Sequence, residues 1–304
     1  MSGSGDSTRA VLFALGANLA IAIAKGVAAF FTGSGAMFAE TVHSLADCGN
    51  QLLLLLGMRR ARKPPSPDYP LGYGKEIYFW SFLVAVMLFC IGGMFSLYEG
   101  VHKLRSPEPL KQWWWAACVL VFGILAEGMS MRACLQEVAK SRAGRSTWRW
   151  FRDSRQSELV VIFGEDLAAL VGLALALLAV MATVVTGNPL WDAIGTLMIG
   201  ALLIVVAVMV AIEVKAMLIG ESLDPVREAE LRRFLDARPE IEHILSLITL
   251  QLGNEVMVSV QAQMCERGSA EALVAQINDV ERAMKQAFPE VRWSFFEPDV
   301  RPGL

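Results

Sequence analysis

The stretch AMFAETVHSLADCGNQLLLLLG, Ala36 to Gly57, is apolar and long enough to cross a bilayer, yet it carries Glu40, His43, Asp47 and Asn50 ahead of a run of leucines. Ionisable groups at membrane depth are costly, and where a chain keeps them they mark a functional site by default. His43 and Asp47 stand at i and i+4, so a helix puts them on one face about one turn apart, with Asn50 a further turn along. An imidazole and a carboxylate placed this way can hold one borderline divalent cation such as Zn²⁺. The pair also fits a simpler role, in which His43 and Asp47 neutralise each other and pin two helices together.

Composition sets the class. The 304 residues are 55% hydrophobic with a mean hydropathy of +0.46. Charged residues make up 19%, below the roughly 25% of soluble domains. With several long apolar runs, this predicts an α-helical polytopic membrane protein. Cys48, Cys90, Cys118, Cys134 and Cys265 are scattered and form no CxxC, so they read as small core residues rather than a disulfide framework. The opening MSGSGDSTR precedes an apolar run too long for the core of a cleavable signal peptide, and none is expected.

Six transmembrane helices are expected, near residues 10–31, 36–57, 77–101, 113–135, 159–185 and 189–211. Lys25, in the first, reads as a residue that snorkels or pairs with an acid on a neighbour, since its charge repels a divalent metal. Arg9, then Arg59, Arg60, Arg62, Lys63 and Lys75, then Arg132, Lys140, Arg142, Arg145, Arg149, Arg152 and Arg155 fall on one side; the other has Lys103, Arg105 and Lys111. The positive-inside rule then places both termini in the cytoplasm. The turns Thr32–Gly35 and Thr186–Pro189 are short and uncharged, so spans one and two, and spans five and six, are antiparallel neighbours. TWRWF, Thr147–Phe151, reads as an interfacial anchor among arginines.

Beyond about Gly220 the composition turns soluble. Asp224-Pro225 opens a helix, residues 243–251 and 255–264 read as strands around a Gly253-Asn254 turn, and 269–288 reads as a helix with Leu273, Ile277, Val280 and Met284 on one face. A strand over 291–296 completes an αββαβ order. The expected division is a six-helix transmembrane domain over 1–220 and a small α+β cytoplasmic domain over 221–304. A domain this small gains support from dimerisation.

A second acidic feature opens span five, in SELVVIFGEDLAALVG, Ser157 to Gly172. Glu165 and Asp166 are adjacent and so differ by about 100° on a helix, and at most one fully faces a given neighbour. Acids also favour helix N-termini, but Glu158 lies seven residues earlier, which puts the pair roughly 10 Å deeper. Glu127, in span four, reads as a group behind the ligands, a proton-coupling residue or the partner of Lys25. Asp192 reads as the cap of span six, and Glu99 and His102 as interfacial residues.

TGSGAMFAETVHSLADCGNQ (Thr32–Gln51), YPLGYGKE (Tyr69–Glu76), GEDLAALVG (Gly164–Gly172) and GNPLWDAIGTLMIG (Gly187–Gly200), in a six-span chain with an αββαβ tail, resemble the cation diffusion facilitator family. The likeness points to the branch that includes the animal mitochondrial zinc transporter. The resemblance implies a homodimer that exports Zn²⁺ or a related divalent cation by alternating access, usually in exchange for protons. The family's span-two ligands fall on His43 and Asp47, and its span-five acid on Asp166. Its fourth ligand falls on Ile162, which cannot bind metal, and Glu165 is the substitute. The implied metal site is His43, Asp47, Asp166 and Glu165, with Asn50 and Glu127 behind it or in proton coupling. One nitrogen with three oxygens is harder than most zinc sites, so Mn²⁺, Fe²⁺ and Co²⁺ stay open.

Histidines that relatives carry after span two are replaced here by Tyr69 and Tyr73, and tail-cluster positions by Gln261 and Phe296, leaving His243 as a surface residue. No peripheral or tail metal site is therefore expected. The expected partners are the metal, protons, lipid and a second copy, with no nucleic acid and no cofactor beyond the cargo. A membrane metal sensor or scaffold without turnover is the rival reading. With three histidines, no HExxH and no Ser/His arrangement, no enzyme is expected. The short N-terminus leads to the expectation of a bacterial inner membrane.

Overall fold

Apolar runs free of internal proline become long helices, because the hydrocarbon interior offers no other partners to backbone N–H and C=O groups. The computed structural model describes residues 4–300 except 108, 111, 143, 266 and 267, and of residues 4–14 and 17 it describes the backbone alone. Lys111 and the Arg9 side chain, used in the charge pattern above, lie outside the described residues. The helices are α1 (Ser4–Thr32), α2 (Gly35–Ala61), α3 (Glu76–Met87), α4 (Phe95–Arg105), α5 (Trp113–Ser141), α6 (Thr147–Asp153), α7 (Ser157–Thr186) and α8 (Leu190–Ile219). A π-helical stretch, Leu88–Met94, joins α3 to α4 without a break. By length and composition Glu76–Arg105, α5, α7 and α8 can each cross a membrane, and α1 contributes the apolar run Asn18–Thr32. The charged and polar residues of α2 dilute its hydropathy but not its length. The chain is an integral membrane protein built from these helices and a small α+β domain.

The chain forms two compact units. One takes the helices up to Gly57, then Trp80–Ser141 and Glu158–Val214; the other gathers Met58–Phe79, Arg142–Ser157 and the stretch from Lys215.

In the first unit, glycines let helices approach closely, as small residues do in membranes. A Cβ on Gly93, within the π-helical stretch, would lie 2.5 Å from Ile204 Cγ1, and one on Gly200 would lie 2.8 Å from the Leu97 backbone nitrogen. The start of α2 is capped from another helix. Asp192, in the first turn of α8, accepts hydrogen bonds from Ser34 Oγ and from the Gly35 N–H, the latter at 2.7 Å. Asp192 therefore does not cap its own helix as expected; the Leu190 N–H is taken by Asn188 Oδ1 at 3.0 Å. The physical reason is position, since Asp192 sits inside the first turn and its carboxylate turns toward the exposed donors of α2.

The second unit holds α9 (Pro225–Asp236), β1 (Ile241–Leu252), β2 (Glu255–Met264), α10 (Ala270–Ala287) and β3 (Val291–Pro298), the expected αββαβ order. Asp224 caps α9 by accepting from the Val226 N–H at 3.0 Å, and Pro225 stands in its first turn. Strands β1 and β2 form an antiparallel hairpin, with β3 added parallel to β2. Gly253 makes the hairpin turn at φ +68°. The alternate residues Val256, Val258 and Val260 of β2 are buried with Leu231, Leu235, Val280 and Met284. Leu273 and Ile277 are only half-buried, and Gln276 lies deeper than either.

Within this unit Arg145 meets Asp224 at 2.8 Å and Asp153 at 3.6 Å, and Arg155 meets Glu221 at 3.0 Å. Part of the basic loop thus forms ion pairs. TWRWF also departs from the anchor expected. It lies in α6, where Trp150 and Phe151 are buried and Trp148 alone of the aromatic residues is exposed. A short helix with aromatic residues on two sides has enough apolar surface to bury one side in protein. Tyr69 and Tyr73 pack with ring centroids 4.6 Å apart, and Lys63 lies 5.5 Å over the Tyr73 ring.

Candidate metal site in the membrane helices

The steps from Glu40 to His43, Asp47 and Asn50 follow the helical repeat and make one polar stripe along α2. All of them are buried. His43 Nδ1 lies 3.5 Å from Asp47 Oδ1. Neither ring nitrogen of His43, nor Asp47 Oδ1, nor Asn50 Oδ1 has a hydrogen-bond partner. Buried polar atoms without partners are rare and cost about 1–3 kcal/mol each. Several of them fall on the one stripe of α2 that carries His43, Asp47 and Asn50.

The acids of α7 part company, as adjacent helical residues must. Glu165 is buried and accepts a hydrogen bond of 2.6 Å from Asn50 Nδ2, so it faces α2. Asp166 faces α5 instead, where Ser130 Oγ donates to its carboxylate at 3.1 and 3.2 Å. Ile162, one turn earlier, is exposed. The structure thus brings His43 to Asp47 and Asn50 to Glu165, and turns Asp166 toward Ser130. Among the described residues no three His, Cys, Asp or Glu side chains are grouped closely enough to hold one metal ion.

Lys25 is fully buried, and its ammonium lies 3.3 Å from Glu40 Oε2 and donates to Ser44 Oγ at 2.7 Å. The acid that Lys25 meets is Glu40, not Glu127, which is buried on α5 one turn before Ser130. No role for Glu40 follows from the sequence alone. Its spacing of one turn from His43 was the available signal.

A profile of the cation efflux transmembrane domain matches residues 11–219. The chain belongs to the cation efflux family. Among the relatives of this cation efflux protein is the mouse mitochondrial proton-coupled zinc antiporter SLC30A9, 33% identical over 231 residues, which are 75% of this chain and 41% of the relative. Metal tolerance protein C4 of Arabidopsis thaliana is 34% identical over 231 residues, 75% of this chain and 50% of its own length. The zinc transporter ZitB of Escherichia coli is 27% identical over 125 residues, 41% of this chain and 39% of its own. The matched segment spans half or less of each of these proteins.

Chemically, the stripe offers an imidazole and carboxylates inside low-dielectric surroundings. Such donors suit a divalent cation that has shed most of its water. The amide of Asn50 orients one carboxylate, as groups behind metal ligands commonly do.

Proposed function

We propose that this cation efflux protein moves divalent metal, Zn²⁺ first among the candidates, out of the cytosol in exchange for protons. The observation that carries the reading is the buried His43–Asp47 pair, with its unpartnered ring nitrogens, one turn from an Asn50 that already holds Glu165. The names of the zinc antiporter and zinc transporter relatives support the same cargo. His43, Asp47, Glu165 and Asp166 form the metal site, and Asp166 joins it by turning from Ser130 toward α2. The ligands bind metal only when deprotonated, so loading the site releases protons. His43 is the leading proton carrier, because an imidazole titrates nearest neutral pH. Helix rocking then exposes the site to the far side, where protons return and metal leaves.

The transmembrane domain occupies 1–220 and the C-terminal domain 221–304, with both termini on the cytoplasmic side by the loop-charge asymmetry. The assembly is a homodimer, and the membrane is a bacterial inner membrane. The chain works as a transporter and not as an enzyme.

The test is metal uptake into proteoliposomes with and without an imposed pH gradient, for Zn²⁺, Mn²⁺, Fe²⁺, Co²⁺ and Cd²⁺ in parallel. Gradient-driven uptake that ranks the metals supports the reading. Metal binding without uptake of any of them would replace it with a sensor.

A further inference from the structure

The Lys25–Glu40 ion pair is fully buried at both ends and lies within the turn of α2 that bears His43. Burial of such a pair is weak ground for a stabilising role. Exchanging a buried ion pair for apolar residues is often neutral or stabilising, because both charges lose their hydration. Nor is the pair fully satisfied, since Glu40 Oε1 has no hydrogen-bond partner. That oxygen points at Gly172 of α7, where a Cβ would lie 2.5 Å from it. The stem of Lys25 passes Gly123 of α5, whose Cβ position is 3.6 Å from Lys25 Cε. Gly172 thus leaves room for the Glu40 carboxylate beside the proposed metal-binding turn, and at Gly123 the Lys25 stem passes at ordinary van der Waals distance.

We propose that Lys25 is a tethered counter-cation that occupies the carboxylate of Glu40, so that this acid, one turn from His43 on the side away from Asp47, is withheld from the cargo until Lys25 moves. A carboxylate beside a metal-binding imidazole would otherwise add a ligand and hold the cation too tightly to be released. The ammonium fills that place and repels a cation from it. Ser44 gives the ammonium a second acceptor, which fixes it in the turn. Glu40 is then a reserve ligand on the path, and Lys25 a positioning residue that sets how tightly the cargo is held.

This inference rests on the transport reading above. Zinc uptake is measured in proteoliposomes for the full chain, the Lys25→Met, Glu40→Gln and Lys25→Met/Glu40→Gln variants, and Asp47→Ala. Freeing Glu40 in Lys25→Met is expected to lower the KM for Zn²⁺ about tenfold or more and to lower kcat, on the scale of couplings between close charges. The double variant, which removes the freed carboxylate, is expected to lose that tightening. If Lys25→Met folds poorly, Glu40→Gln carries the same test with opposite sign, since an uncompensated ammonium should raise KM by a similar factor. A pair that only holds helices together would change the yield of folded protein and leave KM at the wild-type value in all three, which would overturn the inference. Absent uptake by the wild type would defeat the transport reading and this inference with it. Normal uptake by Asp47→Ala would defeat the site assignment alone, and the KM of Lys25→Met would still decide the role of Lys25.

Discussion

Asn50 on α2 and Glu165 on α7 meet through a hydrogen bond of 2.6 Å, one turn along α2 from Asp47. The bond ties together two helices that both carry proposed ligands. Asn50→Ala leaves the Glu165 carboxylate buried without its donor, at a cost of about 1–3 kcal/mol. The expected outcome is a KM for Zn²⁺ raised about tenfold, from loss of ligand orientation, read from the zinc dependence of uptake. An unchanged KM would remove Asn50 from that role.

Asp192 acts at a helix terminus away from the polar stripe. Asp192→Ala removes acceptors from Ser34 Oγ and the Gly35 N–H, and the loss of such a cap costs about 0.5–2 kcal/mol. Thermal unfolding in detergent should show the loss, while the KM for metal stays at the wild-type value. A shifted KM with unchanged stability would contradict this assignment.

How much of this was legible in the sequence differs from residue to residue. The stripe Glu40, His43, Asp47, Asn50 was legible because the helical repeat is a property of one segment. The partner of Lys25 was not, because spacing along the chain says nothing of how α1 is rotated against α2. The same limit applied to Glu165 and Asp166: their 100° separation was certain, but which acid faces α2 depends on the rotation of α7. Asp192 looks like a local cap in the sequence, which shows only its own helix, while its acceptors serve α2. The strands of the tail were legible from alternation, as in Val256, Val258 and Val260. The π-helical stretch left no sign beyond Gly92-Gly93.

The tail domain provides a test by pH. Burial pushes the Glu290 carboxyl up, but the hydrogen bond and charge of Arg227, with a backbone hydrogen bond, outweigh it and hold the carboxyl below its ordinary 4.5. Arg227 Nε donates to Glu290 Oε1 at 2.7 Å and the guanidinium lies 4.6 Å over Phe288. A carboxyl depressed on folding contributes stability above its unfolded value, and that stability is lost as pH falls through the folded value. Glu290→Gln should therefore speed amide exchange at the start of β3 near neutral pH, by a free energy of about 1 kcal/mol or less. The difference from wild type should vanish in acid below the folded value. A difference that persists there would show that the pair is not its cause.

Gly74 is fixed by contact rather than by backbone angle. A Cβ there would lie 2.1 Å from the Leu252 carbonyl oxygen, and the neighbouring Gly253 N–H donates to Tyr78 Oη at 3.0 Å. Backbone cannot yield as a side-chain tip can, so Gly74→Ala should push the β1–β2 turn away and expose the Gly253 amide. Faster hydrogen exchange at Gly253 would show it. Tyr78→Phe should give a smaller effect of about 0.5–1.5 kcal/mol, the worth of one hydrogen bond.

In the proposed transport cycle the cargo binds at the His43–Asp47 pair. The most direct measurement is gradient-driven uptake of zinc by Asp47→Ala beside the wild type, at equal amounts of reconstituted, folded protein. Uptake is expected in the wild type and none above empty liposomes in Asp47→Ala. Uptake by Asp47→Ala at the wild-type rate and KM would contradict it.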